Sequence, residues 1–227
     1  ILALHTNGAI SMDRSVGRMR HGSGGKAGCG HSCSAGTSLW FAASMFAAKF
    51  VLATSRRSLY PFAPEVARAT GVSDQRLANV LAGMQAAYCL VPMAVPALAR
   101  RVGTAATMVG ATTITASAQL ALGLLPGLTF EAFAVGVACF GVGKGLFDPS
   151  LAMTIRERFP EARRAYMTSV IELSWGMSSL IGIPMSGYLL AVGWRLPFVC
   201  FGVLCALAAG LVAVALRGDC AEEAGGR

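Results

Sequence analysis

The stretch Leu196–Leu216, LPFVCFGVLCALAAGLVAVAL, carries no charged side chain from end to end. About 20 apolar residues rising 1.5 Å each cover the ~30 Å hydrocarbon core of a bilayer, so this run is long enough to cross one as a helix. Working outward, uncharged runs at Leu77 to Ala99, Val102 to Phe130 and Leu173 to Trp194 pass the same test, the last starting earlier, near Tyr166, with Glu172 inside. Two more runs are interrupted by charge: Leu39 to Val66 holds Lys49, Arg56 and Arg57, and Phe130 to Ile155 holds Lys144 and Asp148. Hydrophobic residues make up 55% of the chain and charged residues 13%, the latter about half of what soluble domains carry. Too little polar surface remains to cover a water-facing globule, and the same arithmetic excludes intrinsic disorder for the chain as a whole.

These runs predict an all-α polytopic membrane protein with six transmembrane helices, at about residues 37–66, 76–99, 103–126, 130–155, 166–192 and 196–217. Turn and charge chemistry punctuates the joints: Gly71-Val72-Ser73-Asp74, Arg100-Arg101-Val102-Gly103, Leu125-Pro126-Gly127, the charged run Arg156 to Arg164, and Gly193-Trp194-Arg195. Residues 1–36, rich in Gly, Ser and His, read as a disordered cytoplasmic tail, and residues 218–227 as a second tail or the start of a linker.

The net charge of +8 does not form a nucleic-acid patch. Its arginines and lysines fall in loops, and they fall unevenly. Arg14, Arg18, Arg20, Lys26, Arg100, Arg101, Arg156, Arg158, Arg163, Arg164, Arg217 and Arg227 share the side of the N-terminus, against Arg68, Arg76 and Arg195 opposite. By the positive-inside rule both termini are cytoplasmic, in a cell inner membrane. Seven cysteines are too dispersed for a disulfide framework. His21, Cys29, His31 and Cys33 sit closer together than structural zinc ligands do, so no metal is expected; no cofactor or catalytic signature is present either, and the chain does not read as an enzyme.

Charges inside spans are costly and usually face a partner or a wet cavity. Lys144 and Asp148, at i and i+4, share a helix face, so they can form a structural ion pair or serve a solute or proton path; Glu172 is positioned to compete for Lys144. Lys49 lies seven residues before Arg56 and so nearly on its face, and Arg57 follows. A cavity lined by the first and fourth helices would accommodate these cations and favour an anionic or polar solute. Gly141, Gly143 and Gly145, with Ser178, Gly182, Ser186 and Gly187, suit close helix approach, and Pro184 permits a bend.

The chain also echoes itself. Arg57-Ser58-Leu59-Tyr60-Pro61 is matched by Lys144-Gly145-Leu146-Phe147-Asp148-Pro149, and Pro96 with Val102-Gly103 by Pro184 with Val192-Gly193. Spans one and four run oppositely, so the pattern predicts two inverted repeats of three helices each.

Here the residues resemble the N-terminal half of a major facilitator superfamily transporter. Gly141 to Pro149, followed by Arg158-Phe159-Pro160-Glu161-Ala162-Arg163-Arg164, is similar to that family's fourth helix and the connection after it. Gly182-Ile183-Pro184-Met185-Ser186-Gly187 resembles the family's Gly-x-Pro-x-x-Gly motif, found particularly in proton-driven exporters, and Gly193-Trp194-Arg195-Leu196-Pro197-Phe198 its entry to the sixth helix. In the loop before Gly103 the chain departs from the pattern: Arg100, beside Arg101, stands where the family carries an acidic gating residue. The resemblance implies a secondary transporter of a small solute working by alternating access, with protons as the coupling ion and efflux as the direction. Asp148 and Glu172 would then be the proton carriers, and the partner a missing C-terminal half or a second subunit. The competing reading is a non-transporting membrane scaffold or assembly subunit.

Overall fold

The structure, a computed structural model, describes residues 35–61, 63–125 and 129–225. The tail expected at residues 1–36, with its His and Cys cluster, falls almost wholly outside the described residues, as do Pro126 and Gly127 of one predicted turn. The described chain is helical: α1 Ala35–Ser58, α2 Ala63–Thr70, α3 Asp74–Leu90, α4 Val95–Val102, α5 Thr104–Leu124, α6 Phe130–Arg158, α7 Glu161–Met177, α8 Ile183–Val192 and α9 Leu196–Gly225. A 3-10 turn, Val91–Met93, joins α3 to α4, and a π turn, Ser178–Gly182, joins α7 to α8.

Four of the expected helices differ from their sequence outlines: the last, expected to end at residue 217 before a tail or linker, runs on to Gly225, and the other three differ at a proline. The helix expected to continue to residue 66 stops at Ser58. Pro61 disfavours the helical conformation at Tyr60 and offers no N–H of its own. Tight turns take over, with the Tyr60 N–H donating to Arg57 O (3.3 Å) and the Ala63 N–H to Tyr60 O (3.4 Å), before α2 begins. The helix expected over residues 76–99 bends by 58° between Met93 and Val95, where Pro92 and Pro96 remove backbone donors on both sides of the joint. The helix expected from residue 166 starts earlier, at Glu161, and widens into the π turn just before Pro184. A wider turn gives the proline ring room where a regular α turn would set it against a carbonyl.

By length and apolarity, Phe130–Arg158, Glu161–Val192 and Leu196–Leu216 can each cross a membrane, and the bent pair Asp74–Val102 makes a fourth if it counts as one span. α1 is charged, and α5 is diluted by threonine, serine and glutamine. The polarity of α5 is largely satisfied from within. The hydroxyls of Thr107, Thr112, Thr113 and Thr115 donate to Gly103 O (2.8 Å), Met108 O (3.1 Å), Val109 O (2.8 Å) and Ala111 O (3.0 Å). A hydroxyl whose proton is already used loses less on leaving water than its hydropathy value implies.

The chain runs back and forth between two ends. At one, the Phe41 and Phe159 rings meet at 5.6 Å, Arg158 lies over Phe41 and reaches Leu216 O, and the Thr104 hydroxyl donates to Glu157 (3.4 Å). This end therefore gathers the start of α1, the α4–α5 and α6–α7 joints and the body of α9. Gly103 closes α4 with φ +89°, a conformation that favours glycine, and its N–H donates to Ala99 O (2.9 Å). Arg100 and Arg101 stand exposed beside it. Arg164 folds back on the α6 terminus, donating to Phe159 O and Arg156 O, both at 2.8 Å. At the far end the Phe133, Trp194 and Phe198 rings pack edge to face.

α5 is the central rod, packed against α6 and α9; α3 lies on α6, and α1 on α7 and α9. Small residues set these distances. Gly141 and Gly145 face the α3 backbone and the turn that follows it, Gly143 turns the other way to Thr115 and Ala111 of α5, and Gly182 meets Thr54 of α1. Without a hydrophobic driving force between helices in lipid, such close approach supplies much of the packing energy.

A charged face across four helices

α1 supplies three cations. Lys49, although seven residues from Arg56, turns the other way: it is buried and its ammonium donates to Glu172 of α7, whose carboxylate is half exposed. Glu172 was expected to compete for Lys144; it is taken by Lys49 instead. The separation of 123 residues puts that pairing beyond any local spacing rule.

Lys144 of α6, with 5% of its side chain exposed, donates to both oxygens of Asp148, at 2.6 and 2.7 Å. The i, i+4 spacing brings them together on one face. Asp148 accepts a third bond, from the Tyr88 hydroxyl of α3 at 3.3 Å, which ties the pair to the neighbouring helix.

Arg56 and Arg57, consecutive on α1, rest on different neighbours, α3 and α7. The Arg56 guanidinium lies 4.4 Å above the Tyr88 ring and donates to Gln85 Oε1 (3.1 Å), which also accepts from the Tyr60 hydroxyl (3.2 Å). Its Nε is buried with no hydrogen-bond partner among the described residues. Arg57 lies 3.8 Å from the Trp175 ring centre and donates through Nη1 to Trp175 O (3.0 Å), to Ser178 Oγ (3.4 Å) and to Ser179 Oγ. Cation–π contact and neutral acceptors hold both guanidiniums in place while leaving their charge uncancelled.

Sequence reasoning missed Gln85, Tyr88, Trp175 and Ser179. A signal existed, because Glu172, Trp175 and Ser179 at i, i+3 and i+7 put a polar and aromatic stripe on one face of α7 and the turn that follows it.

The face is open. Glu172, Trp175, Ser179 and Gln85 are all exposed. Two hollows among the described residues lie elsewhere than at the charges expected to line a cavity between the first and fourth helices. One, of about 20 Å³, is lined by Ser55, Ser58, Gln119 and aromatic side chains; a shallow groove of about 420 Å³ runs between α3 and α6 past Arg76, Asn79 and Phe130. Neither includes Lys49, Arg57 or Lys144. Among the described residues, no three His, Cys, Asp or Glu side chains are grouped to hold a metal ion.

The family model of the Major Facilitator Superfamily matches residues 45–225. The chain belongs to this superfamily. No curated protein matches it. Among solved structures, the crystal structure of a point mutant of the peptide transporter POT is similar, with a TM-score of 0.63 at 19% identity. The match covers 79% of this chain and 37% of that one, so this Major Facilitator Superfamily chain spans well under half the length of the transporter it resembles. At that identity the likeness establishes the fold. The superfamily chain is thus a multi-pass, all-helical membrane protein whose charged face lies on α1, α3, α6 and α7.

Proposed function

We propose that the chain forms the N-terminal half of a secondary active transporter that moves a small polar or anionic solute by alternating access, with protons as the coupling ion and export as the direction. In this reading each traverse between the two ends is one membrane crossing: α1, the bent α3–α4 pair, α5, α6, α7–α8 and α9. The six form two inverted triplets with both termini in the cytoplasm. The basic residues at the end of the bundle that holds Arg100, Arg101, Arg158 and Arg164 support that orientation.

The observation that carries the proposal is the open charged face. Six ionisable side chains, Lys49, Arg56, Arg57, Lys144, Asp148 and Glu172, lie on the facing sides of α1, α6 and α7, with Arg56 and Arg57 in the last turn of α1, and Glu172 is half exposed. Lipid is a poor neighbour for such a surface. A second six-helix body, from the same protein or another subunit, would close the face into a water-filled path at the interface, where transporters bind their solutes. The bend at α3–α4, the π turn before Pro184 and the glycine contacts along α6 are the joints about which such halves would rock.

The test is flux. In proteoliposomes holding the complete protein, an imposed proton gradient should drive solute uphill, and Glu172→Gln should abolish uphill movement while sparing downhill exchange. Uphill transport that ignores the proton gradient would remove the proton from the scheme; absence of any solute flux would favour the scaffold reading.

A further inference from the structure

On the charged face, Lys49 and Lys144 are matched by Glu172 and Asp148, whereas Arg56 and Arg57 have no carboxylate partner among the described residues. Four cations against two carboxylates leave a surplus of two positive charges, both on consecutive residues of one helix. Both lie in the last turn of α1, and two adjacent like charges held there by neutral groups favour a bound species of the opposite sign.

We propose that the solute itself is that counter-charge: a small, doubly charged anion of the dicarboxylate or phosphate-monoester class, held by Arg56 and Arg57 together. The inference rests on the transport reading and deepens it by assigning the charge of the cargo. A singly charged anion would leave one guanidinium uncompensated; a neutral solute would leave both.

The geometry suits this task. Each guanidinium is held by an aromatic ring on its face, Tyr88 or Trp175, so its position is set before the solute arrives. The bonds it makes are to a side-chain amide, a backbone carbonyl and serine hydroxyls, all neutral, so none competes with an anion for charge. Arginine offers five N–H donors in a planar fork, and the contacts made here occupy Nη1 in both residues. The Nε–Nη2 edge of Arg57 can meet the paired oxygens of a carboxylate or phosphate, a match that lysine cannot make, and Nη2 of Arg56, whose Nε is buried, can donate to a further oxygen. Gln85 and Ser179, exposed on either side of α1, are placed to take the solute's remaining polar atoms.

The experiment is competition and flux with the complete protein in proteoliposomes. Succinate and glycerol phosphate serve as dianion probes, acetate and lactate as monoanion probes. Dianions should be preferred by about tenfold or more, the worth of one further charge-assisted hydrogen bond. Arg56→Gln and Arg57→Gln should each erase most of that preference, while Arg56→Lys and Arg57→Lys, which keep the charge, should retain part of it. Succinate favoured over glycerol phosphate would assign the carboxylate member of the class, and the reverse the phosphate member. Monoanions moving as well as dianions, with both Gln variants unchanged, would overturn the proposal and leave the anion pathway standing. Flux of neutral or cationic solutes alone would overturn both.

Discussion

Gly141→Val should leave little folded protein, and even Gly141→Ala should lower stability by about 1–3 kcal/mol, the usual cost of forcing atoms into a filled interior. Mid-helix glycine normally works the other way: replacing it with alanine favours the helix by about 1 kcal/mol. The sign reverses here because a Cβ at Gly141 would overlap the carbonyl oxygen of Met84, with the carbonyl carbon at 3.1 Å and Ala87 Cβ at 3.2 Å. A backbone atom cannot rotate away, so α3 would have to lift off α6 and carry Tyr88 with it. Two controls separate this from a general intolerance. Gly210 has nothing within 4 Å, so Gly210→Ala should be neutral or slightly stabilising. The three atoms nearest a Cβ at Gly136 all belong to the Leu122 side chain, at 2.8–3.0 Å, which can change rotamer, so Gly136→Ala should fall between them. The midpoint of thermal aggregation in detergent, followed by size-exclusion chromatography, ranks the three. Equal values for Gly141→Ala and Gly210→Ala would show that the α3–α6 contact is looser than described.

What the sequence could and could not say follows from the range of each interaction. Composition and uncharged runs are sums over many residues, so helix class and membrane character were legible despite local irregularity. The Lys144–Asp148 contact was legible because both partners sit one turn apart on one helix. The Lys49–Glu172 contact was not: no spacing rule connects α1 to α7, and Glu172 was directed to the wrong lysine. Helix ends failed where apolar composition ran on past a proline. Leu59 to Val66 is apolar enough to extend α1, yet Pro61 ends it, and the run over Leu77 to Ala99 hides a bend that Pro92 and Pro96 impose. The partners of the two arginines went unseen because aromatic and serine side chains look like packing residues until a cation is found resting on them.

Asp148→Asn alone should be more damaging to folding than removal of both members of its pair. With Asp148 neutralised, the Lys144 ammonium stays buried with no anion beside it, and Lys49 and Arg56 are near enough to repel it. Stranding one charge of a buried pair costs about 3–5 kcal/mol, whereas replacing both with apolar groups of similar size is often neutral or stabilising. Folded yield should therefore fall sharply for Asp148→Asn and recover in Lys144→Met/Asp148→Leu. Recovery should be incomplete, because the Tyr88 hydroxyl also loses its acceptor. Transport separates structure from function: if the pair only neutralises itself, the refolded double variant moves solute as the parent does. If Asp148 carries a proton through the cycle, the double variant folds and stays inert, since no group remains at that place to release Lys144 and take it back. A double variant that neither folds better than Asp148→Asn nor differs from it in flux would mean that Asp148, a quarter exposed, draws its support from water and Tyr88 more than from Lys144.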